Sequence, residues 1–198
     1  MKSGFAIVGA VLVGAFAGAA TAAVKGGLVG DSSLSAVDGI NVDGWKSDWA
    51  IGSSAADPYT RAMVARRGLL ALAKEEAVYF TTVTDSGGEP LRESCRYELT
   101  GGNYPGDWWS ITLYDQKSRL PMNDDNALSI DATSAEGVPW RSVIAATRPT
   151  TGHWISSKNG GAFDLTLRIY KPTEALLRAP EETLTPPTVT LLDCGAAS

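Results

Sequence analysis

Histidine is the residue type here with the widest range of chemistry, and it occurs once in the 198 residues, as His153. Any metal centre or catalytic pair that needs two histidines is therefore excluded within the chain. No carboxylate or cysteine motif neighbours His153 in the sequence. We expect a buried histidine or one at a sheet edge, and we assign no catalytic residue.

Two acidic stretches could in principle do chemistry. Asn123–Asn126, with the sequence NDDN, offers oxygen ligands of the kind that Ca²⁺ prefers, but it lacks the spaced ligands and central glycine of an EF-hand loop. A turn rich in Asn and Asp is the better interpretation. Glu75 and Glu76 are adjacent and would lie about 100° apart on a helix, so they do not converge on one substrate. We predict neither a metal site nor a cofactor.

Six tryptophans are many for this length, and exposed aromatic rings on a sheet can stack on sugars or fill a partner's pocket. Trp108 and Trp109 are adjacent and should face opposite sides of a strand, so at least one is expected in the core. Trp140 and Trp154 lie beside Pro139 and Gly152, which predict turns, and they are our candidate ligand-binding residues. The alternative is that these rings simply fill the core.

The composition argues against one broad class of function. Apolar residues make up 44% of the chain and charged residues 20%, and the formal net charge is −5. No run of Lys or Arg is longer than the pair Arg66 and Arg67. The sequence therefore predicts no basic surface for a phosphate backbone, and nucleic acid is not an expected partner.

The N-terminal segment predicts export. From Phe5 to Val24 there are twenty residues without a charge, enough as a helix to span the roughly 30 Å hydrocarbon core of a membrane. Acidic residues follow it, so the positive-inside rule places the remainder outside the cytoplasm. We expect residues 1–25 to be a single-pass transmembrane anchor. Its Gly14 and Gly18, in a GxxxG arrangement, are a possible contact for an integral membrane protein.

The alternative is a cleaved signal peptide. Lys2 would then be the charged region, residues 5–16 the apolar region, and Ala20–Thr21–Ala22 the cleavage site. The mature protein would be a soluble periplasmic domain. Both interpretations place the folded part outside the cytoplasm.

Two cysteines are consistent with export. Cys95 lies near the start of a predicted strand, and Cys194 lies four residues from the end of the chain. An oxidising compartment would allow a disulfide between them, which would tie the C-terminal strand into the sheet. The alternative is two buried free thiols.

Residues 26–56 are rich in Gly, Ser and Asp and predict an extended tether. Trp45 and Trp49 should draw its later half against the domain or a membrane interface. Asp57 and Pro58 then predict the N-cap and first position of a helix, whose apolar face extends to Ala77 and should pack on a sheet. The domain itself is expected over residues 57–198.

From residue 76 onward the pattern predicts strands. Leu165, Leu167 and Ile169 alternate with polar residues, as in a sheet with one buried face. A turn cluster at residues 85–88 predicts a hairpin between the strands on either side. Residues 173–185 contain prolines and predict irregular structure. The expected strands are 79–83, 92–99, 108–114, 129–131, 142–146, 153–155, 163–170 and 188–192. The fold class is mainly β, an antiparallel jelly-roll-like β-sandwich with one packed α-helix after the transmembrane helix.

Four blocks in order resemble a bacterial family of unknown function, DUF1214. They are Asp57–Ala62 (DPYTRA), Glu76–Phe80 (EAVYF), Trp109–Asp115 (WSITLYD) and Leu167–Pro172 (LRIYKP). The resemblance covers about residues 45–194 and implies a jelly-roll-like sandwich, often joined to a DUF1254 module that is absent here. It implies a short form anchored in the bacterial inner membrane, with the domain in the periplasm. It supplies no catalytic residues.

Arg61 and Arg168 are the charges in these blocks that we expect to be partly buried. Each is predicted to be structural, with a carboxylate such as Glu76 or Asp115 as its partner.

The leading functional hypothesis is a binding module or an accessory subunit of an envelope complex, and not an enzyme. It follows from the predicted anchor and from the lack of an acid, base, nucleophile or metal set. One alternative is a periplasmic enzyme that modifies carbohydrate or lipid. The other is a secreted soluble ligand-binding domain.

Overall fold

The computed structural model describes residues 2–25, 39–49, 58, 61 and 72–195. The elements in chain order are α1 (Lys2–Lys25), β1 (Gly39–Val42), β2 (Trp45–Asp48), β3 (Ala77–Thr82), β4 (Cys95–Gly101), β5 (Gly106–Asp115), β6 (Ser129–Asp131), β7 (Trp140–Ala145), β8 (His153–Ser156), β9 (Phe163–Pro172), α2 (Glu174–Arg178), α3 (Pro180–Thr183) and β10 (Thr188–Cys194). All eight strands predicted from the sequence are present, as β3 to β10.

Two sheets contain these strands, and neither closes on itself. The larger has the order β1-β2-β3-β9-β5-β6 and the smaller β10-β4-β7-β8. Pairing is antiparallel except between β7 and β8. Inward side chains of both sheets contribute to one buried cluster, which includes Phe80, Ile111 and Leu167 from the larger sheet and Leu99 and Ile144 from the smaller. The fold is therefore mainly β and antiparallel, as predicted.

Strand β9 shows why the larger sheet forms. Its residues alternate between buried and half-buried along its length, and Leu165, Leu167 and Ile169 are fully buried. Burying each such side chain stabilises the fold by about 1.5–3 kcal/mol relative to an exposed one. Because β9 pairs with β3 on one side and β5 on the other, it is the strand that holds the sheet together.

The predicted hairpin between the strands flanking residues 85–88 does not form. The turn itself exists, with the Asp85 N–H donating to Glu89 O and the Leu91 N–H donating to Val83 O. The chain then crosses to the other sheet, so β3 pairs with β9 and β4 pairs with β7 and β10. Inward-facing residues on both strands are buried in one core. That burial favours placing the two strands in opposite sheets over pairing them as neighbours in one sheet.

Part of the predicted tether forms a hairpin, β1–β2. Trp45 is buried, and its indole N–H donates to Pro187 O at 2.9 Å. Trp49 packs against Phe80 with ring centroids 6.1 Å apart. These contacts show that residues 45–49, in the later half of the predicted tether, lie against the domain, as predicted. Residues 26–38 and 50–56 are outside the described residues.

Helix α1 occupies the segment predicted as a transmembrane anchor. Among the described residues, however, no helix is both long and apolar enough to cross a membrane, so the predicted anchor is not supported. A Cβ added at Gly14 or Gly18 would meet nothing within 4 Å, and the predicted contact of this face with a membrane protein stays a prediction.

The predicted soluble helix lies largely outside the described residues. Pro58 and Arg61 are helical, and the rest of residues 57–71 is not described. Ala77 does not continue that helix, because a turn at residues 74–76 precedes it and Ala77 begins β3. The segment predicted as irregular contains α2 and α3. Thr173 caps α2 by accepting a hydrogen bond from Leu176 N–H, and Pro180 is the first residue of α3.

The disulfide between Cys95 and Cys194 is present, and the described residues contain no free cysteine. The two residues are directly opposite each other in the antiparallel pair of β4 and β10. The bond therefore fixes the last strand of the chain to the smaller sheet, as the sequence predicted.

Candidate functional site

The two predicted ligand-binding tryptophans are both buried. Trp140 is 1% exposed, stacks on Trp109 with centroids 5.0 Å apart, and donates its indole N–H to Gly102 O. Trp154 is buried on the smaller sheet, where its indole N–H donates to Ala145 O. Neither ring offers a face to a ligand, so this prediction is wrong. Both residues lie on strands and not in turns, and their size favours burial.

The other candidates for chemistry have structural surroundings. His153 begins β8, an edge strand, and its Nδ1 lies 3.4 Å from Ser142 Oγ. Asn123–Asn126 forms the predicted turn, in which Asn123 Oδ1 accepts from Asp125 N–H and Asp125 Oδ2 accepts from Ser156 Oγ. Within residues 39–49 and 72–195, no three His, Cys, Asp or Glu side chains are grouped to hold a metal ion.

Several carboxylates close to the sheets stabilise turns. Asp85 accepts from Gly87 and Glu89 N–H, and Asp115 accepts from Lys117 and Arg119 N–H. Each is a short-range contact with the backbone of the following residues. The carboxylates of Asp85 and Asp115 therefore stabilise their own turns and are not directed toward a common point.

Asp115→Asn is expected to lower the free energy of unfolding by about 1 kcal/mol at neutral pH. Burial raises the pKa of Asp115, but N–H donors from Arg119 and Lys117 and the Arg119 guanidinium outweigh it and bring the pKa below 3.8. Because the folded pKa is depressed, this stabilisation is complete above the unfolded pKa and is lost as the pH falls through the folded value. Urea unfolding from neutral pH down to about pH 2 should show the two proteins converging. A constant difference at every pH would contradict the assignment.

The most distinctive surface is the outer side of the larger sheet. We call it the Arg168 face, and it consists of half-buried or exposed side chains of β3, β5 and β9: Tyr79, Thr81, Trp108, Thr112, Tyr114, Asp164, Thr166, Arg168 and Tyr170. The order β3-β9-β5 brings these residues together although they are far apart in sequence. The outer side of the smaller sheet instead carries ordinary exposed ion pairs, such as Arg141 with Glu98.

Arg168 lies at the centre of this face, opposite Tyr79 on β3 and Ser110 on β5. Its guanidinium donates to Thr112 Oγ1 at 3.1 Å and to the Tyr114 hydroxyl. It also lies over the rings of Tyr114 and Tyr79, 5.2 and 5.9 Å from their centroids. Arginine has five N–H donors, and only two of them are used in these bonds.

The predicted carboxylate partners of Arg168 are engaged elsewhere. Asp115 pairs with Arg119, and Glu76 accepts from Ala73 N–H. None of the ion pairs between described residues includes Arg168. The prediction of a carboxylate partner is therefore wrong for Arg168, because hydroxyls and aromatic rings on the neighbouring strands hold it instead. Arg61 was predicted to be partly buried, and it is exposed.

Hydroxyls and one carboxylate complete the middle of the face. The hydroxyls of Thr81 and Thr166 are 3.0 Å apart, and Thr166 donates to Asp164 Oδ1. Burial raises the pKa of the Tyr79 phenol, with a further rise from Tyr170 that the positive charge of Arg168 partly offsets. Tyr79 is therefore protonated at neutral pH and presents a neutral ring beside the guanidinium.

An aromatic pair forms one end of the face. Trp108 is 37% exposed, and its indole N–H donates to Thr133 Oγ1 at 3.0 Å, which fixes the ring. Its partner across the strands is Tyr170, with centroids 5.3 Å apart. At least one of Trp108 and Trp109 was predicted to lie in the core, and Trp109 is the buried one. The exposed one is the ring that a ligand can reach.

The fold and this face define a mainly β domain with two mostly antiparallel sheets around one core. The family model for DUF1214, a protein family of unknown function, matches residues 76–174, which is half of the chain. The chain belongs to this family, as the resemblance of the four blocks predicted. A comparison with curated proteins gave no match.

The comparison with solved structures gave one protein of similar fold and one weaker match. The VPA0106 protein from Vibrio parahaemolyticus has 21% sequence identity and a TM-score of 0.55, over 70% of this chain and 36% of that one. An uncharacterised protein from Burkholderia cenocepacia has 13% identity and a TM-score of 0.44, over 59% of this chain and 29% of that one. This chain therefore spans about a third of the length of these solved proteins.

Proposed function

We propose that this protein is a non-enzymatic binding module located outside the cytoplasm, and that the Arg168 face is its binding surface. The observation that carries the proposal is the guanidinium of Arg168, which is half-buried between aromatic rings, retains unused donors, and has no ion-pair partner among the described residues. A buried charge normally has a paired partner, and a binding surface is one place where that partner arrives with the ligand.

Catalysis is the weaker proposal for this face. Asp164 is the one carboxylate named in it, and its Oδ1 accepts from Thr166. Acid–base chemistry of the glycosidase kind uses two carboxylates on opposite sides of the scissile bond. Aromatic rings and arginine are instead the residue types enriched where binding energy concentrates.

The scaffold suits this role. We propose that the two sheets form the jelly-roll-like sandwich implied by the family resemblance, a rigid framework that holds the face in a fixed geometry. The protein would act as an accessory subunit of an envelope complex or as a secreted binding domain. The N-terminal segment would serve for export in either case.

The disulfide supports the location. Bonds of this kind persist in oxidising compartments and are rare where thiols are kept reduced.

Thiol labelling tests the location. Acid-quenched native cells can be treated with a thiol-reactive polymer, with and without prior reduction. Polymer attachment only after reduction supports the extracytoplasmic location, and attachment without reduction would contradict it. N-terminal sequencing of the same material shows whether residues 1–22 are retained.

Site-specific photocrosslinking tests the binding surface. A photoreactive phenylalanine replaces Tyr170 on the Arg168 face, and in a matched control it replaces Thr190, which is exposed on the smaller sheet. In native cells we expect one reproducible adduct from position 170 and none from position 190. Equal labelling from both positions, or none from either, would contradict the proposed surface.

A further inference from the structure

We infer that the Arg168 face binds an acidic saccharide, with a sugar ring stacked on Trp108 and Tyr170 and its carboxylate or phosphate on Arg168. The inference rests on the proposed binding function and names the class of ligand. It combines three features of the same face: a fixed aromatic platform, an arginine with unused donors, and a row of threonine hydroxyls on the side of Arg168 away from the platform.

The aromatic platform is built before any ligand arrives. Trp108 is held by its bond to Thr133 and by its contact with Tyr170, and it keeps 37% of its surface exposed. A ring that is already fixed loses little conformational entropy on binding. Its flat, apolar surface suits the C–H side of a sugar ring, and its polar edge is satisfied within the protein.

Arg168 provides the charge complementarity. Its planar fork of donors matches a carboxylate or a phosphate, which it can bind through two parallel hydrogen bonds. The flanking rings of Tyr79 and Tyr114 exclude water from part of the site, which strengthens the attraction. Thr112 and Tyr114 fix the guanidinium from one side, so it does not need to be ordered by the ligand.

The spacing links the two features. Tyr170 and Arg168 are two residues apart on β9 and point to the same side, so their positions are separated by about 7 Å along the strand. Trp108 is directly opposite Tyr170. The guanidinium extends from Arg168 toward Thr112 and Tyr114, which are opposite Thr166 and Asp164 and therefore farther from the platform. A sugar on the aromatic pair therefore reaches the guanidinium through the acidic group of a neighbouring ring in the oligosaccharide.

The other charges on this side favour a saccharide over a dense polyanion. Asp164 lies on the face, Asp48 and Lys46 lie on the adjacent strand β2, and the whole chain has a net charge of −5. A nucleic acid carries a phosphate on every nucleotide, whereas the two cations named on this side, Arg168 and Lys46, are equalled in number by Asp164 and Asp48. A hydroxyl-rich ligand with a localised acidic group meets one guanidinium and the hydroxyls of Thr81 and Thr166.

Calorimetry on the purified protein tests the inference with three probes: an oligosaccharide with a single glucuronic acid residue, the methyl ester of the same oligosaccharide, and a gluco-oligosaccharide with a single phosphate. We expect at least one acidic probe to bind at least tenfold more tightly than the neutral ester. The stronger acidic probe distinguishes carboxylate from phosphate. Equal affinity for all three probes, or binding of none, would overturn the inference.

Variants separate the ligand contacts from folding. Arg168→Gln should reduce affinity for the acidic probe to that for the neutral ester, and Arg168→Lys should restore part of it. Trp108→Ala should weaken both by at least tenfold. The matched control Arg141→Gln, on the exposed side of the smaller sheet, should leave binding unchanged. Thermal melts confirm that each variant is folded, and normal binding by folded Arg168→Gln overturns the inference.

Failure here can be told apart from failure of the proposed function. A specific protein adduct at position 170 with no saccharide binding would reject the saccharide and keep the binding surface. No adduct and no binding would reject both.

Discussion

Removing the Cys95–Cys194 disulfide is expected to lower the free energy of unfolding by about 3–5 kcal/mol. The bond joins residues 99 positions apart, so it restricts a large loop in the unfolded chain. It also anchors β10, whose side chains are mostly exposed and contribute little burial of their own. A domain of this size is stable by only about 5–15 kcal/mol, so the loss is a large fraction of the total. Guanidinium unfolding of Cys95→Ala/Cys194→Ala against the oxidised wild type measures it.

The matched control is Asp193→Asn, which removes an exposed ion pair with Arg96 beside the disulfide. It should cost less than about 1 kcal/mol, because exposed ion pairs contribute little. Reducing agent should lower the stability of the wild type and leave the double variant unchanged. A double variant as stable as the wild type would show that other contacts hold β4 and β10 together and that the disulfide adds no stability.

Trp140→Ala is expected to cost about 3–5 kcal/mol, the usual range for removing a large aromatic side chain from a core. The ring is 1% exposed, stacks on Trp109, and contacts Tyr104 at a centroid distance of 6.4 Å. The substitution leaves a cavity in this cluster and removes the donor to Gly102 O. Chemical denaturation with the disulfide intact measures the loss.

Trp108→Ala is the comparison from the surface. The same side chain is removed, but Trp108 is on the outer side of the sheet and partly exposed. We expect a loss of about 1 kcal/mol or less, typical of a surface position. A loss equal to that of Trp140→Ala would mean that the exposed ring is part of the structural framework, which would also weaken the assignment of the binding platform.

The strands could be predicted because their signals are local. In β9 each second residue is apolar, and a period of two places all of those residues on one side of a sheet. The pairing of strands could not be predicted in the same way. The turn at residues 85–88 indicated a hairpin, but strands in one sheet and strands in facing sheets have the same local pattern. The choice is decided by which arrangement buries the core.

The hairpin β1–β2 was missed although a signal was present. Asp43 and Gly44 both have positive φ, and an Asp-Gly pair is a strong indicator of a two-residue hairpin turn. The many Gly, Ser and Asp residues around it favoured an extended tether. Ile40, Val42 and Trp45 are the apolar residues that a search for alternating patterns would have found.

The candidate site required the sheet order. The sequence singled out Arg168 but not Tyr79, Thr112 or Tyr114, which lie 54 or more residues away and reach it only through pairing of β3, β9 and β5. Trp140 and Trp154 were chosen because adjacent Pro and Gly suggested turns. Their burial depends on packing between the two sheets, which a local sequence pattern cannot predict.

The central position of β9 governs the order in which the chain can fold. β3 and β5 are synthesised first, yet β9 lies between them, so the larger sheet stays incomplete until residue 172 has left the ribosome. Contacts this distant in sequence form slowly. We therefore expect the larger sheet to assemble only after β9 has emerged, because β3 and β5 each lack a neighbouring strand until then.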